Sequence, residues 1–132
     1  MNITSTSASI ANSNPDAAIF NAWNRRQAAS RDYNALPFAD YEDCHGAYTP
    51  EEQAVLDIID AAEEEIRSSI AATPQGIALQ LWVALHALVT QRDDDRAANE
   101  ADLEYFEHKG EEADWNVRMI VAAIRSLQNM EA

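Results

Sequence analysis

The chain has 132 residues, 23 of them Asp or Glu against 9 Lys or Arg, for a formal charge of −14. That length is one domain's worth, and a 47% hydrophobic share is enough for a packed core, which excludes wholesale disorder. The acid excess excludes direct binding to nucleic-acid phosphates and docking on anionic membranes, since both require clustered Lys and Arg.

Residues 1–13, rich in Ser, Thr, Asn and Ala, read as a flexible tail ahead of a single helical domain over 14–132. They lack the basic and long apolar regions of a secretory signal. One cysteine, Cys44, excludes an intramolecular disulfide and a Cys-rich zinc site, so a reducing cytoplasm is the expected compartment. The apolar run from Ile77 to Val89 is broken by Gln80 and His86 and is far shorter than the ~20 residues of a membrane span.

The 3 Gly and 4 Pro fall at segment boundaries, and no period-2 run of β-branched residues occurs, so an all-α fold is predicted. The first helix is expected to open at Asn14 as N-cap with Pro15 at its first position, and to end before Pro37. Ile19, Phe20, Trp23 and Tyr33 form its apolar side, weakened by Gln27 and Ser30. The loop that follows carries Phe38, Tyr41 and Tyr48, aromatics placed to fold back onto the helices.

Thr49-Pro50-Glu51-Glu52 is a capping box with Pro at the first helical position. Val55, Ile59, Ala62, Ile66 and Ile70 follow at helical spacing, widened by Leu56 and Ile58. Thr73-Pro74-Gln75-Gly76 starts the next helix almost at once, so helices two and three form an antiparallel hairpin. Helix three is apolar nearly all round, which places it at the centre of the core. A break is expected near Asp93-Asp94-Asp95, because three acids at a helix C-terminus oppose its dipole. Leu103, Tyr105 and Phe106 anchor the helix beyond it, Gly110 ends that helix, and the last helix begins near Glu111 to Asp114. Trp115, Met119, Ile120, Ala123, Ile124 and Leu127 form the last apolar stripe, and Trp23, Trp82 and Trp115 are all expected in the core. The prediction is a compact bundle of four to five helices.

Three carboxylate patterns suggest chemistry. Glu42-x-x-His45, beside Asp40, Asp43 and Cys44, matches one half of a di-iron motif, but a second half is missing and the loop context is wrong for it. Asp60-x-x-Glu63 and Glu111-x-x-Asp114 imitate the magnesium-binding pairs of all-α nucleotide pyrophosphatases, without the Lys and Arg that would hold a triphosphate. Glu100, Glu104 and His108 share a face if their segment is one helix. His86, inside helix three, reads as a hydrogen-bonded core or interface histidine. No nucleophile elbow or phosphate-binding Gly-rich loop occurs. The expectation is therefore a protein that is not an enzyme and uses no metal or cofactor.

Charge is the remaining functional signal. Glu51 to Glu65 holds seven acids and no base, and Asp93 to Asp114 holds ten acids against Arg96 and Lys109, while Arg25, Arg26 and Arg31 make the first helix locally basic. Such acidic faces keep a protein dispersed and steer basic partners, including nucleic-acid-binding proteins whose channel a DNA mimic would occupy. The candidate partner-binding residues are Tyr41, Glu42, Asp43, Tyr48, Glu63, Glu64, Asp93, Asp94, Asp95 and Glu104. Self-assembly through an apolar surface of helix three or the final helix is an alternative, as is the pyrophosphatase-type enzyme.

Trp23 through Tyr33-Asn34-Ala35-Leu36-Pro37, Thr73-Pro74-Gln75-Gly76-Ile77-Ala78 and Asp114-Trp115 with Arg118 give the chain its wider likeness. On these residues it resembles small acidic all-helical proteins of unknown function from alphaproteobacteria and their prophages. The resemblance implies a mobile-element setting, in which small acidic proteins act as adaptors or as inhibitors that block a host or rival protein, anti-CRISPR inhibitors being one class.

Overall fold

A computed structural model describes residues 14–37 and 47–131. The expected tail, and the loop residues Phe38, Asp40, Tyr41, Glu42, Asp43, Cys44 and His45, lie outside the described residues. Within them there are six α-helices, one short 3-10 turn and no strand. The helices are α1 (Ala17–Ala35), α2 (Pro50–Ser68), α3 (Pro74–Leu88), α4 (Arg92–Asn99), α5 (Leu103–Lys109) and α6 (Trp115–Glu131), with the 3-10 turn at Gly110–Glu112.

Helix α2 begins as its sequence requires. The Thr49 hydroxyl accepts from the Glu52 N–H at 3.2 Å while the Glu52 carboxylate accepts from the Thr49 N–H at 2.9 Å. Thr73 caps α3 in the same manner by accepting from the Gly76 N–H at 3.1 Å. Residues 69–73 close the hairpin between α2 and α3. Val83 packs with Ala62 and Ile66, and the Gln80 amide donates to the carbonyls of Ile66, in the last turn of α2, and of its C-cap Ser69. The hairpin is not the main contact, however. The most extensive pairings are α1 on α2 and α3 on α6.

Helix α3 is central because it bridges two core clusters. One holds Ile19, Ala22, Ala62, Ile66 and Val83. The other holds Trp82, Leu85, Ala97, Ala98, Leu103, Phe106, Val117, Val121 and Ile124. Trp82 and Phe106 meet with ring centroids 6.1 Å apart, and Tyr105 meets Phe106 edge-on at 5.1 Å.

Several expectations are corrected. Helix α1 starts at Ala17, two residues after the predicted Pro15, with Asp16 in the N-cap position. Asn14 instead holds a turn, its side chain accepting from the Asp16 N–H at 2.9 Å. The acidic stretch forms two helices where one was expected, giving six among the described residues. Ala101 takes a left-handed φ of 56° and Asp102 caps α5 by accepting from the Tyr105 N–H. Glu100 therefore lies outside the helix that carries Glu104 and His108. Ile70 falls beyond the end of α2 and is 96% exposed, and Ile58 is exposed as well. Trp115 and Met119 are 68% and 64% exposed rather than core. The buried stripe of α6 is Val117, Val121 and Ile124, and Met119 points about 200° away from Val117 around the helix. The break before the Asp run and the Gly110 terminus, with φ 57°, are as expected.

Asp16 does not cap its own helix. Its buried carboxylate accepts from the N–H groups of Ala72 and Thr73, each at 2.9 Å, and from the Thr73 hydroxyl. It thus lies at the positive end of α3, where an anion is favoured. Burial alone would raise its pKa, but the bonds from Thr73 and Ala72 outweigh burial and hold it below the usual carboxylate value. Gly76 makes this approach possible, because a Cβ there would stand 2.1 Å from Asp16 Oδ2. Gly-to-Ala in a helix normally stabilises by up to ~1 kcal/mol. Here Gly76→Ala is expected to destabilise by about 2 kcal/mol or more in urea unfolding, because the carboxylate must leave its donors. For Asp16→Asn the sign in pH follows from the lowered native pKa. The wild type's advantage over the variant is full above about pH 4 and is lost as pH falls through the native value. Urea midpoints between pH 2 and 7 measure it.

Candidate functional site

A polar cleft of about 720 Å³ is walled by α1, α2, the end of α3 and α4. Its construction starts at Arg26. On α1 the buried positions Ile19, Ala22, Arg26 and Ala29 follow helical spacing, so an arginine occupies a core position of the stripe. Arg26 is 1% exposed, which overturns its reading as part of a basic surface patch.

A buried guanidinium must be compensated by neighbours. Its Nη2 contacts His86 Nδ1 on α3 at 3.2 Å, its Nη1 donates to the Gln27 side chain at 2.8 Å, and its Cζ stacks 5.0 Å from the Trp23 ring. Glu63 Oε1 on α2 lies 3.7 Å from Nε, which has no hydrogen-bond partner. Burial lowers the Arg26 pKa, while Glu63 and Asp95 oppose the shift. Arginine has only donors, so His86 Nδ1 must accept, and its proton sits on Nε2. That nitrogen faces Asp95 Oδ1 at 3.0 Å. Both ring nitrogens of His86 are therefore engaged, in keeping with a structural histidine and not with a free base.

The polar residues that weaken the α1 stripe have a similar purpose. Gln27 donates to the Asn99 carbonyl at 2.8 Å, and the Asn99 amide donates to Ser30 Oγ at 2.8 Å. They seat the C-terminal end of α4 on α1.

Above this buried layer the cleft is acidic. Asp60 and Glu63 from α2 meet Asp93, Asp95 and Glu100 at α4, with Tyr33 and Tyr48 also in the wall. Arg92 and Arg96 are the cations lining it, and Arg96 is paired with Glu100 at 3.0 Å. Asp60 and Asp93 have no ion-pair partner among the described residues.

Of the candidate partner-binding residues, Tyr48, Glu63, Asp93 and Asp95 thus come together in one cleft. Asp94 is corrected: it is buried and accepts from the Tyr105 hydroxyl at 2.6 Å and from Lys109 Nζ at 2.7 Å and 2.8 Å. Those bonds outweigh burial and lower its pKa, while the hydrogen bond to Asp94, together with burial, pushes Tyr105 up to about 12. Asp94 therefore locks α4 to α5 and offers nothing to a partner. Glu64 stays outside the cleft beside Arg67, and Glu104 lies on a separate open depression with His108 and Glu112. Tyr41, Glu42 and Asp43 lie outside the described residues. Tyr33 and Asn99 line the cleft and Arg26 lies behind Glu63 and His86, and none of the three was predicted as a site residue. The signal for Arg26 was its place in register with Ile19, Ala22 and Ala29.

The pyrophosphatase pattern does not assemble. Asp60 and Glu63 line the cleft, whereas Asp114 lines a different pocket beside Leu88 and Val117, and Glu111 is exposed on the 3-10 turn. Among the described residues no three His, Cys, Asp or Glu side chains converge as a metal site, and no helix is long and apolar enough to cross a membrane. No protein-family model matches the chain, and no curated protein or solved structure shows significant similarity to it.

Arg26→Ala, which leaves Glu63 and His86 without their shared cation and opens a cavity, is expected to lower the unfolding free energy by about 3 kcal/mol or more. Arg25→Ala, at the half-exposed Arg25–Glu65 pair next to it in sequence, is expected to cost less than about 1 kcal/mol. Urea unfolding of the two variants side by side tests the contrast.

Proposed function

We propose that the protein is a non-enzymatic interaction module whose acidic cleft receives a basic segment of a partner protein. The observation that carries this reading is convergence: acids from the two acidic stretches, Asp60 and Glu63 on one side and Asp93, Asp95 and Glu100 on the other, line a single cleft. Two of them, Asp60 and Asp93, are left without a cationic partner among the described residues.

A Lys or Arg side chain entering the cleft meets a carboxylate on each wall, and Tyr48 offers a ring edge or face beside it. Charge complementarity of this kind raises the encounter rate and selects partner and orientation more than it adds raw affinity. Nucleic-acid-binding proteins are one class with the matching surface. Occupying their basic channel makes the module an inhibitor, and bridging them to something else makes it an adaptor. Both roles fit the phage or prophage setting implied by the sequence resemblance, and both belong in the cytoplasm.

The test is titration of the full chain with an arginine-rich peptide, followed by fluorescence anisotropy. Replacing Asp60 and Asp93 together by Asn is expected to weaken binding by about 10-fold. Replacing Glu111 and Glu112 by Gln removes the same net charge away from the cleft and is expected to change it by less than about 2-fold. Equal losses in the two double variants would reduce the effect to overall charge and sink the proposal.

A further inference from the structure

The outer face of α6 differs from the rest of the surface. Trp115, Met119, Ala122, Ala123, Ser126 and Met130 are all exposed, Trp115 by 68%, Met119 by 64% and Met130 by 69%. Their spacing of four, three or four, and four residues gathers them on one side of the helix, opposite Val117, Val121 and Ile124. The charged residues of α6, Arg118, Arg125 and Glu131, lie off this arc. Helix α3, packed against α6, adds Ile77, Leu81, Ala84 and Leu88 at helical spacing and carries no acid or base other than His86. Leu81 and Ile120 both pack against the same core cluster.

We infer that this face is the interface of a symmetric homodimer, with α6 packed antiparallel on α6 of a second copy. Three observations favour that occupant.

The first is charge. A body of net charge −14 repels another copy least where carboxylates are missing, and none lies on the arc from Trp115 to Met130, with Asp114 and Glu131 just beyond its two ends. A basic partner is drawn to carboxylates and not to this arc.

The second is self-complementarity. A twofold axis between Ala122 and Ala123 sets Trp115 against Met130 of the second copy, Met119 against Ser126, and Ala122 against Ala123. Large side chains then pack at both ends while small ones let the helices approach at the centre, as an isologous contact requires. The Ser126 hydroxyl already donates to the Ala122 carbonyl at 3.0 Å, so its burial leaves no donor unsatisfied.

The third is area. The exposed apolar side chains of α6 and α3 present on the order of 500 Å². That approaches the ~800 Å² that each partner contributes to a standard interface, so a modest, concentration-dependent dimer is expected.

The experiment is sedimentation of the full chain from micromolar to near-millimolar concentration, at low and at moderate salt. A monomer–dimer equilibrium that tightens with salt is expected, because screening relieves the repulsion between two acidic bodies. Binding in the acidic cleft weakens with salt, so the two behaviours are separable. Met119→Glu, at an exposed position that leaves the helical circular dichroism unchanged, is expected to weaken the dimer by about 10-fold or more. In a Cys44→Ser background, Ala122→Cys is expected to form a disulfide-linked dimer on oxidation, whereas Ile58→Cys on exposed α2 is not. A monomer at every concentration, a dimer indifferent to Met119→Glu, or dimerisation that appears only after deletion of residues 1–13 would each overturn the proposal.

Discussion

The arrangement of the first four helices depends on one buried cation. Arg26 occupies a core position of α1, and its charge obliges the surrounding helices to supply compensation. Glu63 comes from α2, His86 from α3, and Asp95 reaches the same network from α4 through His86. An apolar residue at this position would fill the space without specifying which polar groups face it. The arginine does specify them, and the floor of the cleft is the result. The 3.7 Å separation from Glu63 and the unpartnered Nε leave that floor incompletely satisfied.

The acid excess resolves into groups with different tasks. Asp16, Glu52 and Asp94 are buried and bound within the molecule, at a helix start, in a capping box and against Lys109 with Tyr105. Their negative charge organises the chain. Glu63 and Asp95 border the Arg26 network and face the cleft as well. Asp60 and Asp93 line the same cleft and have no ion-pair partner among the described residues. A net charge counted over the whole chain hides this division, because carboxylates with donors around them no longer attract cations from outside.

The molecule accordingly offers two surfaces of opposite character. The cleft between α1, α2 and α4 is polar and anionic, while the outer side of α3 and α6 is apolar and free of carboxylates along its stripe. Electrostatic recognition and hydrophobic association respond oppositely to salt. The two proposed contacts therefore lie on separate surfaces and are told apart by their response to salt.

Local chemistry made much of the helical framework legible in the residues. The capping box at Thr49, the Thr73 cap, the break before Asp93 and the Gly110 terminus each depend on interactions within a few positions of the chain, and each is where the sequence puts it. The central place of α3 follows from its apolar circumference in the same way. Other features depend on groups far apart in sequence. Asp16 leaves its own helix because Ala72 and Thr73 at the start of α3, 56 and 57 residues later, offer it more donors. Arg26 is interior because Glu63 and His86 arrive beside it, and Trp115 is outside because the neighbours of α6 lie on the valine side. The acids of Glu51–Glu65 and Asp93–Asp114 could be counted along the chain. Which of them share a cleft, and which is already spent on Lys109, was decided only by packing, since a side chain's distant partners are set by the helix that folds against it.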